Sequence, residues 1–458
     1  MNISAGIFRE YDIRGVVGDD LTPEIAEAVG RAFGTELSDR EGVTVAVGHD
    51  NRPSSAELAD ATCGGLRATG ARVLFVGLVP TPALYVAGIE WDTDGAVQIT
   101  GSHNPPEYNG LKLVRDNRPV YGSAIQGLRN RIEQDCFVRG TGGISRVEIL
   151  DRYVEILADR AHVEAPVRMV LDCGNGTGSV VAVEALRACG VVVDPLYCES
   201  DGTFPHHHPD PTVDENVVDL SERVTSTGAA LGVGLDGDAD RIGAVTERGD
   251  IIRGDHLLLL FALDVLAERP GVEIVFDVKC SQALEREIVR AGGIPRMWKT
   301  GHSLIKEKMR ETGSPLSGEM SGHICFADRY FGIDDAIYAA ARLAGLVVRS
   351  GRPLSELVDA IPAYPSTPEL RLECPEERKF GVVSRAVSRY RAGHEVIDID
   401  GARILFDGGW ALIRASNTQP VVVVRVEADT NERLVEIGRD IAAFLSTEGI
   451  HLSIPGVD

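Results

Sequence analysis

Three carboxylates alternate in Asp236-Gly-Asp-Ala-Asp240, and Arg241 follows at once. In an extended loop, side chains at i, i+2 and i+4 lie on one side of the chain, so Asp236, Asp238 and Asp240 make a site for a hard cation. An EF-hand loop would match these aspartates and Glu247. Its sixth position must be glycine, however, and here that position is Arg241, between flanks that read as strands. Few protein ligands beside an arginine suit Mg2+, which usually shares its coordination shell with phosphate oxygens. The second reactive element is Ser102, in Ile99-Thr-Gly-Ser-His-Asn-Pro-Pro106. It follows an apolar strand, but there is no Gly-x-Ser-x-Gly elbow and Pro105 stops any helix, so the serine-hydrolase reading fails.

Three further stretches carry chemistry. Arg414-Ala-Ser-Asn-Thr-Gln-Pro420 combines a guanidinium fork, hydroxyls and amides on a short loop, a set suited to a phosphate dianion. Gly318-Glu-Met-Ser-Gly-His323 offers Glu319 and Ser321 between glycines, suited to vicinal sugar hydroxyls; the bland alternative is a helix start capped by the serine. Lys299-Thr-Gly-His302 places a cation and an imidazole on a turn. Two other stretches only imitate sites. Gly174-Asn-Gly-Thr-Gly-Ser179 lacks the third glycine of a dinucleotide fingerprint, and His206-His-His-Pro-Asp210 reads as a proline-flanked rigid linker rather than a metal tract.

The elements that must position these loops recur. An apolar strand running to an aspartate, a polar loop, a helix ending at a glycine and a second strand occur at Val43–Asp50, Val167–Asp172 and Val272–Asp277, with helix-ending glycines at Gly70, Gly190 and Gly293. Continuous β-branched runs predict parallel strands covered on both faces. Each copy continues into a further strand whose end carries one of the loops above, and ligands of open α/β sheets bind at strand carboxyl ends. The expected fold is therefore three related mixed-sheet α/β domains, residues 1–147, 148–250 and 251–362, followed by a smaller α+β domain over 363–458.

Composition bounds the class. At 458 residues, 44% apolar and 25% charged, the chain is a globular protein of several domains, and no run reaches membrane-spanning length. A net charge of −23 argues against nucleic acid or an anionic membrane as partner. The N-terminus has no basic or apolar leader pattern, which points to the cytoplasm. Eight cysteines are scattered without Cys-x-x-Cys spacing and read as reduced, mostly buried thiols. Among 46 basic residues only six are lysines, including Lys112, Lys279 and Lys299. Where arginine is the default, a lysine marks a need for a compact charge.

In this order along the chain, Phe8-Arg-Glu-Tyr-Asp-Ile-Arg-Gly15, Thr100-Gly-Ser-His-Asn-Pro-Pro106, Asp236–Arg241, Lys299–His302, Gly318–His323 and Arg414–Thr418 resemble the α-D-phosphohexomutase superfamily, closest to its bacterial phosphomannomutase/phosphoglucomutase group. The resemblance covers essentially the whole chain. It implies a four-domain, heart-shaped enzyme, a monomer or homodimer, that interconverts hexose 1-phosphate and hexose 6-phosphate of mannose or glucose. Ser102 would carry the phosphoryl group, with a hexose 1,6-bisphosphate as intermediate and activator and with Mg2+ on Asp236, Asp238, Asp240 and the phosphoserine. Lys112 and Arg241 would flank the serine; His302 and Lys112 are the implied proton-transfer groups. Glu319 and Ser321 would hold sugar hydroxyls, and Arg414, Ser416, Asn417 and Thr418 the phosphate that is not transferred. Tyr11, Arg14, Lys279, His302 and His323 would line the cleft. Three positions depart from the family's habit: Ala239 where glycine is common, His49 where a basic residue is common, and Gln419 where glutamate is frequent. Phosphoglucosamine mutase is the alternative within the superfamily, disfavoured by Met320 and Asn417. A metal-dependent, serine-phosphorylated sugar phosphatase is the alternative outside it.

Overall fold

The computed structural model describes residues 3–417 and 419–453. Four sheets follow one another along the chain. The first contains β1 (Ile13–Val16), β2 (Thr44–His49), β3 (Arg72–Leu78), β4 (Gly95–Ile99), β5 (Tyr108–Arg115), β6 (Arg118–Pro119) and β7 (Ile144–Arg146). The second contains β8 (Val167–Asp172), β9 (Val191–Leu196), β10 (Leu231–Leu235), β11 (Ile242–Thr246) and β12 (Ile251–Ile252). The third has β13 (Glu273–Asp277), β14 (Ile294–Trp298), β15 (Leu316–Gly318) and β16 (Ile324–Phe326). The fourth has β17 (Leu370–Glu373), β18 (Glu395–Ile397), β19 (Ala402–Phe406), β20 (Gly409–Ala415) and β21 (Val421–Ala428).

The repeat seen in sequence is a repeat of topology. Each of the first three sheets holds the run β3-β2-β4-β5, β9-β8-β10-β11 or β14-β13-β15-β16. In each, three strands are parallel and the last returns antiparallel. The parallel strands sit on both sides of the one that opens the repeat, as their helical crossovers require. The fourth sheet is wholly antiparallel, in the order β17-β21-β20-β19-β18, which agrees with the α+β expectation for the C-terminal region.

This topology places the loops. Ser102 lies between β4 and β5, Asp236–Arg241 between β10 and β11, and Glu319–His323 between β15 and β16. Each is the connection from the last parallel strand to its antiparallel return. Arg414 ends β20, and the residues after it lead into β21. Strands β4, β10 and β11 are buried along their whole length, so the loops emerge from the packed interior. The helix Gly254–Glu268 is apolar on all sides, and the helix Ala336–Ser350 buries nearly its whole length; both pack into the core that the second and third units share. No helix among the described residues is long and apolar enough to cross a membrane.

Two expectations need correction. Cys173 and Cys198 are joined as a disulfide at the ends of β8 and β9, so the cysteines are not all reduced, while the free thiols are mostly buried as expected, with Cys136 exposed. Parallel pairing of β8 with β9 brings the two cysteines together, which their separation of 25 residues did not announce. The His206–His208 stretch is also more than a spacer. His206 stacks on Tyr197 at 3.9 Å and meets Asn175 Oδ1 at 2.7 Å, while His207 Nε2 lies 3.0 Å from Asp172 Oδ2.

The fourth unit is held to the third by a buried cation. Arg403 lies 3.6 Å from the Trp410 ring centre and donates to the carbonyls of Val278 and Cys280, next to Lys279. Burial lowers its pKa to about 10, so it stays charged at neutral pH. A lysine cannot stack on the indole and reach both carbonyls at once. Arg403→Lys is expected to cost about 2–3 kcal/mol from the lost charged hydrogen bonds, read by calorimetry as an earlier transition for the C-terminal unit. An unchanged melting profile would remove Arg403 from this role.

Candidate active site

The serine loop is built around Arg52. Asp50, at the end of the first repeat's opening strand, accepts from Arg52 Nε at 3.1 Å and from the Gly101 amide at 3.1 Å. The guanidinium then donates to the carbonyls of Ser102 (2.7 Å), Asn104 (2.6 Å), Pro105 and Tyr108, gathering the loop around a single planar fork. A Cβ on Gly101 would lie 2.6 Å from that guanidinium. Ser102 itself is buried with φ of +50°, a left-handed conformation that costs a non-glycine residue about 1–3 kcal/mol. Its hydroxyl donates to Asp236 Oδ2 at 3.1 Å and lies 3.1 Å from His103 Nδ1. Burial, then Arg241 and Arg14, push the His103 pKa well down, so this imidazole is neutral.

The aspartate loop meets the serine loop directly. A Cβ on Gly237 would stand 2.4 Å from the Ser102 carbonyl oxygen, so only glycine allows this approach. Asp236, Asp238 and Asp240 are fully buried, and their carboxylate oxygens converge within 4.8 Å. Asp238 Oδ1 and Asp240 Oδ1 have no hydrogen-bond partner. Burial, with Asp240 and Asp238 beside it, raises the Asp236 pKa well above normal. Lys112 Nζ reaches Asp238 at 2.7 Å and Asp240 at 2.5 Å. Burial opposes its charge, but these two carboxylates outweigh burial and hold the ammonium well above its usual range. Two buried carboxylate oxygens without donors, beside a third carboxylate, fit a divalent cation. Ala239 has φ of +61°. A glycine there would occupy that conformation without strain.

Both neighbouring units grip this loop. At the start of the helix Thr81–Glu90, the Thr81 amide donates to the Asp238 carbonyl at 3.0 Å and its hydroxyl to the Asp238 carboxylate. From the far side, the Ala336 amide donates to the Ala239 carbonyl at 3.2 Å. Arg241 Nε donates to His323 Nε2 at 3.0 Å. His302 and His323 stack at 5.1 Å, and both Nδ1 atoms face Asp334 Oδ2, at 3.3 and 3.2 Å. Burial, then Lys306, lower the His302 pKa to about 4.

The remaining loops are tied to one another. Glu319 Oε1 accepts the Gly301 amide at 2.6 Å, and Ser321 lies half-buried at the loop tip with no helix following it. Tyr11 donates to the Thr300 carbonyl at 2.7 Å and accepts from Asn417 Nδ2 at 2.7 Å, so one phenol joins three units. Arg14 reaches Asn104 Oδ1 at 3.0 Å and pairs with Asp12. Lys279 Nζ meets Glu369 at 3.1 Å. Arg414 Nε donates to Asp400 at 2.6 Å, and the same carboxylate oxygen takes the Thr300 amide at 2.9 Å. Ser416 Oγ accepts the Gln419 amide at 3.2 Å, while Gln419 Oε1 takes Arg371 at 3.0 Å. Thr418 lies outside the described residues.

Among the described residues, the other site residues named from sequence, Ser321 apart, fall in one connected network across the four units. The sequence reading passed over Arg52, Thr81, Asp334 and Asp400. A signal for part of the framework was present: the aspartate closing each repeat's first strand. Asp50 organises the serine loop, Asp172 takes the Gly174 amide at 2.8 Å, and Asp277 takes Thr300 Oγ1 at 2.9 Å and the Met320 amide at 3.3 Å.

Four family models match the chain in order: phosphoglucomutase/phosphomannomutase α/β/α domain I over 5–139, domain II over 151–249, domain III over 253–364, and the C-terminal domain over 369–444. A phosphomannomutase/phosphoglucomutase of Pseudomonas aeruginosa is 47% identical over 436 residues, covering 95% of this chain and 94% of the relative. A phosphoglucomutase of Neisseria gonorrhoeae is 41% identical, covering 97% and 98%. The crystal structure of a phosphoglucomutase/phosphomannomutase family protein from Burkholderia thailandensis superposes with a TM-score of 0.92 at 42% identity, covering 99% of this chain and all of that one. With the same four units in the same order and near-complete coverage on both sides, the chain belongs to the phosphoglucomutase/phosphomannomutase family.

Proposed function

We propose that this protein is a phosphohexomutase acting on mannose or glucose phosphates through a phosphoserine at Ser102 and a bound hexose 1,6-bisphosphate, which also serves as activator. The observation that carries this reading is the Ser102 hydroxyl, held in a strained loop and bonded to a carboxylate of the buried cation cradle. A hydrolase would need a base that accepts the serine proton and is oriented by a third group. Here Asp236 and a neutral His103 face the hydroxyl, in a setting suited to holding a phosphoryl group.

Asp236, Asp238 and Asp240 are the residues that would hold Mg2+, which neutralises charge on a transferring phosphoryl group when bound. The chain's own groups do the rest. Arg241 and Lys112 would flank the phosphorylated Ser102 and offset the charge on the transferring oxygens. A sugar hydroxyl attacks phosphorus, the new O–P bond forms as the bond to Ser102 Oγ breaks, and the hydroxyl proton passes to a base. His302 and Lys112 are the candidates for that base; burial and Lys306 lower the His302 pKa to about 4, which leaves its ring neutral at working pH. Glu319 and Ser321 would hold the sugar hydroxyls. Arg414, Ser416, Asn417 and Thr418, with Tyr11, Arg14, Lys279 and His323, would bind the distal phosphate and line the cleft. The bisphosphate then reorients and its other phosphate returns to Ser102: the Oγ–P bond forms as the sugar O–P bond breaks, and the proton taken up in the first step goes back to the released sugar oxygen. We further assign domains to 1–147, 148–250, 251–362 and 363–458, place the protein in the cytoplasm as a monomer or homodimer, and exclude nucleic acid and membrane as partners on its charge and apolar-run lengths.

A coupled assay tests this reading. Mannose 1-phosphate or glucose 1-phosphate with Mg2+ and a trace of glucose 1,6-bisphosphate should yield the 6-phosphate; release of free phosphate without isomer would establish the phosphatase instead. Ser102→Ala and Asp238→Asn are each expected to lower kcat by roughly 10³-fold or more, and chelation should abolish turnover reversibly. Near-wild-type rates in both variants would refute the assigned roles. Arg414→Lys should act differently, raising KM by about tenfold through loss of the bidentate fork; an unchanged KM would remove Arg414 from phosphate binding.

A further inference from the structure

We propose that Asp400 is the positioning residue for phosphate recognition: it holds the Arg414 guanidinium by its Nε edge, presents the Nη1/Nη2 fork to the distal phosphate, and fastens this pair to the Thr300 turn of the third unit. The inference rests on the assignment of Arg414 to the phosphate made above. Asp400 lies just ahead of β19, and Gly401 brings it into place. The β19–β20 ladder begins with Ala402 opposite Ile413, so the chain before it crosses the strand end that carries Arg414. A Cβ on Gly401, whose φ is +100°, would lie 2.7 Å from the Ile413 carbonyl oxygen and 3.0 Å from the Arg414 Cβ. Only glycine permits that approach, and it sets the Asp400 carboxylate beside the guanidinium. Arg414 Nε donates to Asp400 Oδ2 at 2.6 Å, with both side chains largely withdrawn from water. Burial disfavours the Arg414 charge, and Asp400 is the strongest of the neighbours that restore it. With Nε committed, the Nη pair is the edge that remains for a bidentate grip on phosphate.

A second bond ties the pair to the third unit. The same Asp400 Oδ2 accepts the Thr300 amide at 2.9 Å. Every other polar group of Thr300 is also engaged: its hydroxyl donates to Asp277 at 2.9 Å, and its carbonyl accepts from Tyr11 of the first unit at 2.7 Å. The next amide, of Gly301, goes to Glu319 at 2.6 Å, and a Cβ on Gly301 would stand 2.4 Å from the Tyr11 ring. The turn is thus fixed from two units, and its remaining amide is aimed at the fourth. One carboxylate oxygen thereby sets the phosphate arginine at a defined distance from the turn that meets the sugar-loop carboxylate. Arg403 joins the same two units through the Val278 and Cys280 carbonyls, and it makes no printed bond to Arg414 or Thr300. A carboxylate beside a phosphate site repels the ligand by charge alone. What Asp400 offers against that repulsion is orientation.

That opposition gives the test its sign. Full-length protein carrying Ser102→Ala in every arm, so that no phosphoryl group is transferred, is titrated with glucose 1-phosphate in a calorimeter. Asp400→Ala should raise Kd about tenfold, as Arg414→Lys does, because both lose the oriented fork. Removing a negative charge beside the phosphate would by itself tighten binding, so an unchanged or lower Kd would overturn the proposal. The double variant Asp400→Ala/Arg414→Lys should bind no more weakly than the weaker single variant; multiplied losses would show Asp400 acting apart from Arg414 and reject the role. Asp400→Asn keeps the shape and one acceptor, and it carries the test if the alanine variant does not fold: a Kd about threefold higher is expected, and an unchanged or lower one overturns the proposal. With Ser102 restored, Asp400→Ala should raise KM while kcat stays within about twofold of wild type. A fall in kcat at unchanged KM would mark a merely structural effect. The titration needs no turnover, so failure of the mutase reading appears separately, as absence of isomer from the wild-type protein.

Discussion

Three carboxylates on one short loop, all withdrawn from water, are the constraint from which the rest of this structure follows. Buried charges of one sign must be matched by charges of the other or by a bound cation. Asp236, Asp238 and Asp240 are matched within their own unit by Arg241 at the loop's end and otherwise from outside it. Lys112 comes from the first unit, and the His323 imidazole, 3.6 Å from Asp240, comes from the third. The electrostatic need of one loop therefore draws three units together and sets the place where a doubly charged phosphoryl group can be handled.

The same need accounts for the architecture around it. A loop that must bring its carboxylates to convergence cannot be free to relax, and here its backbone is bonded from both flanks, by Thr81 and by Ala336. Those donors stand at the starts of the helices Thr81–Glu90 and Ala336–Ser350, where amide groups are unpaired within the helix. Helix starts in two units thus clamp the loop of a third. The strained backbones of Ser102 and Ala239 fall on either side of this clamp, so the conformational cost sits where the surroundings overdetermine the fold.

Much of this was legible in the sequence, and for a definite reason. Alternating aspartates, glycine-bounded loops and strand-to-helix punctuation are local signals, and the residues carrying them fall in one connected network. The threefold repeat was visible because each copy reuses a strand ending in aspartate and a helix ending in glycine, and the sheets repeat accordingly. What escaped was long-range. Arg52 is an ordinary arginine in Asp50-Asn-Arg-Pro until its five donors are seen to gather four carbonyls, and Asp334 is one of a pair whose members face opposite ways. Cys173 and Cys198 meet only because two strands run parallel in register.

The division of labour among cations follows from the same electrostatics. The resemblance implied Lys112 as a proton carrier, and a buried lysine shifts its pKa readily. Burial alone would have lowered that pKa, but two carboxylates within 2.7 Å reverse the effect. His302 has the opposite balance: burial and the nearby Lys306 ammonium outweigh Asp334, and the ring stays neutral. One cleft thus holds a buried ammonium kept charged and a buried imidazole kept neutral, each set by whether its neighbours outweigh desolvation.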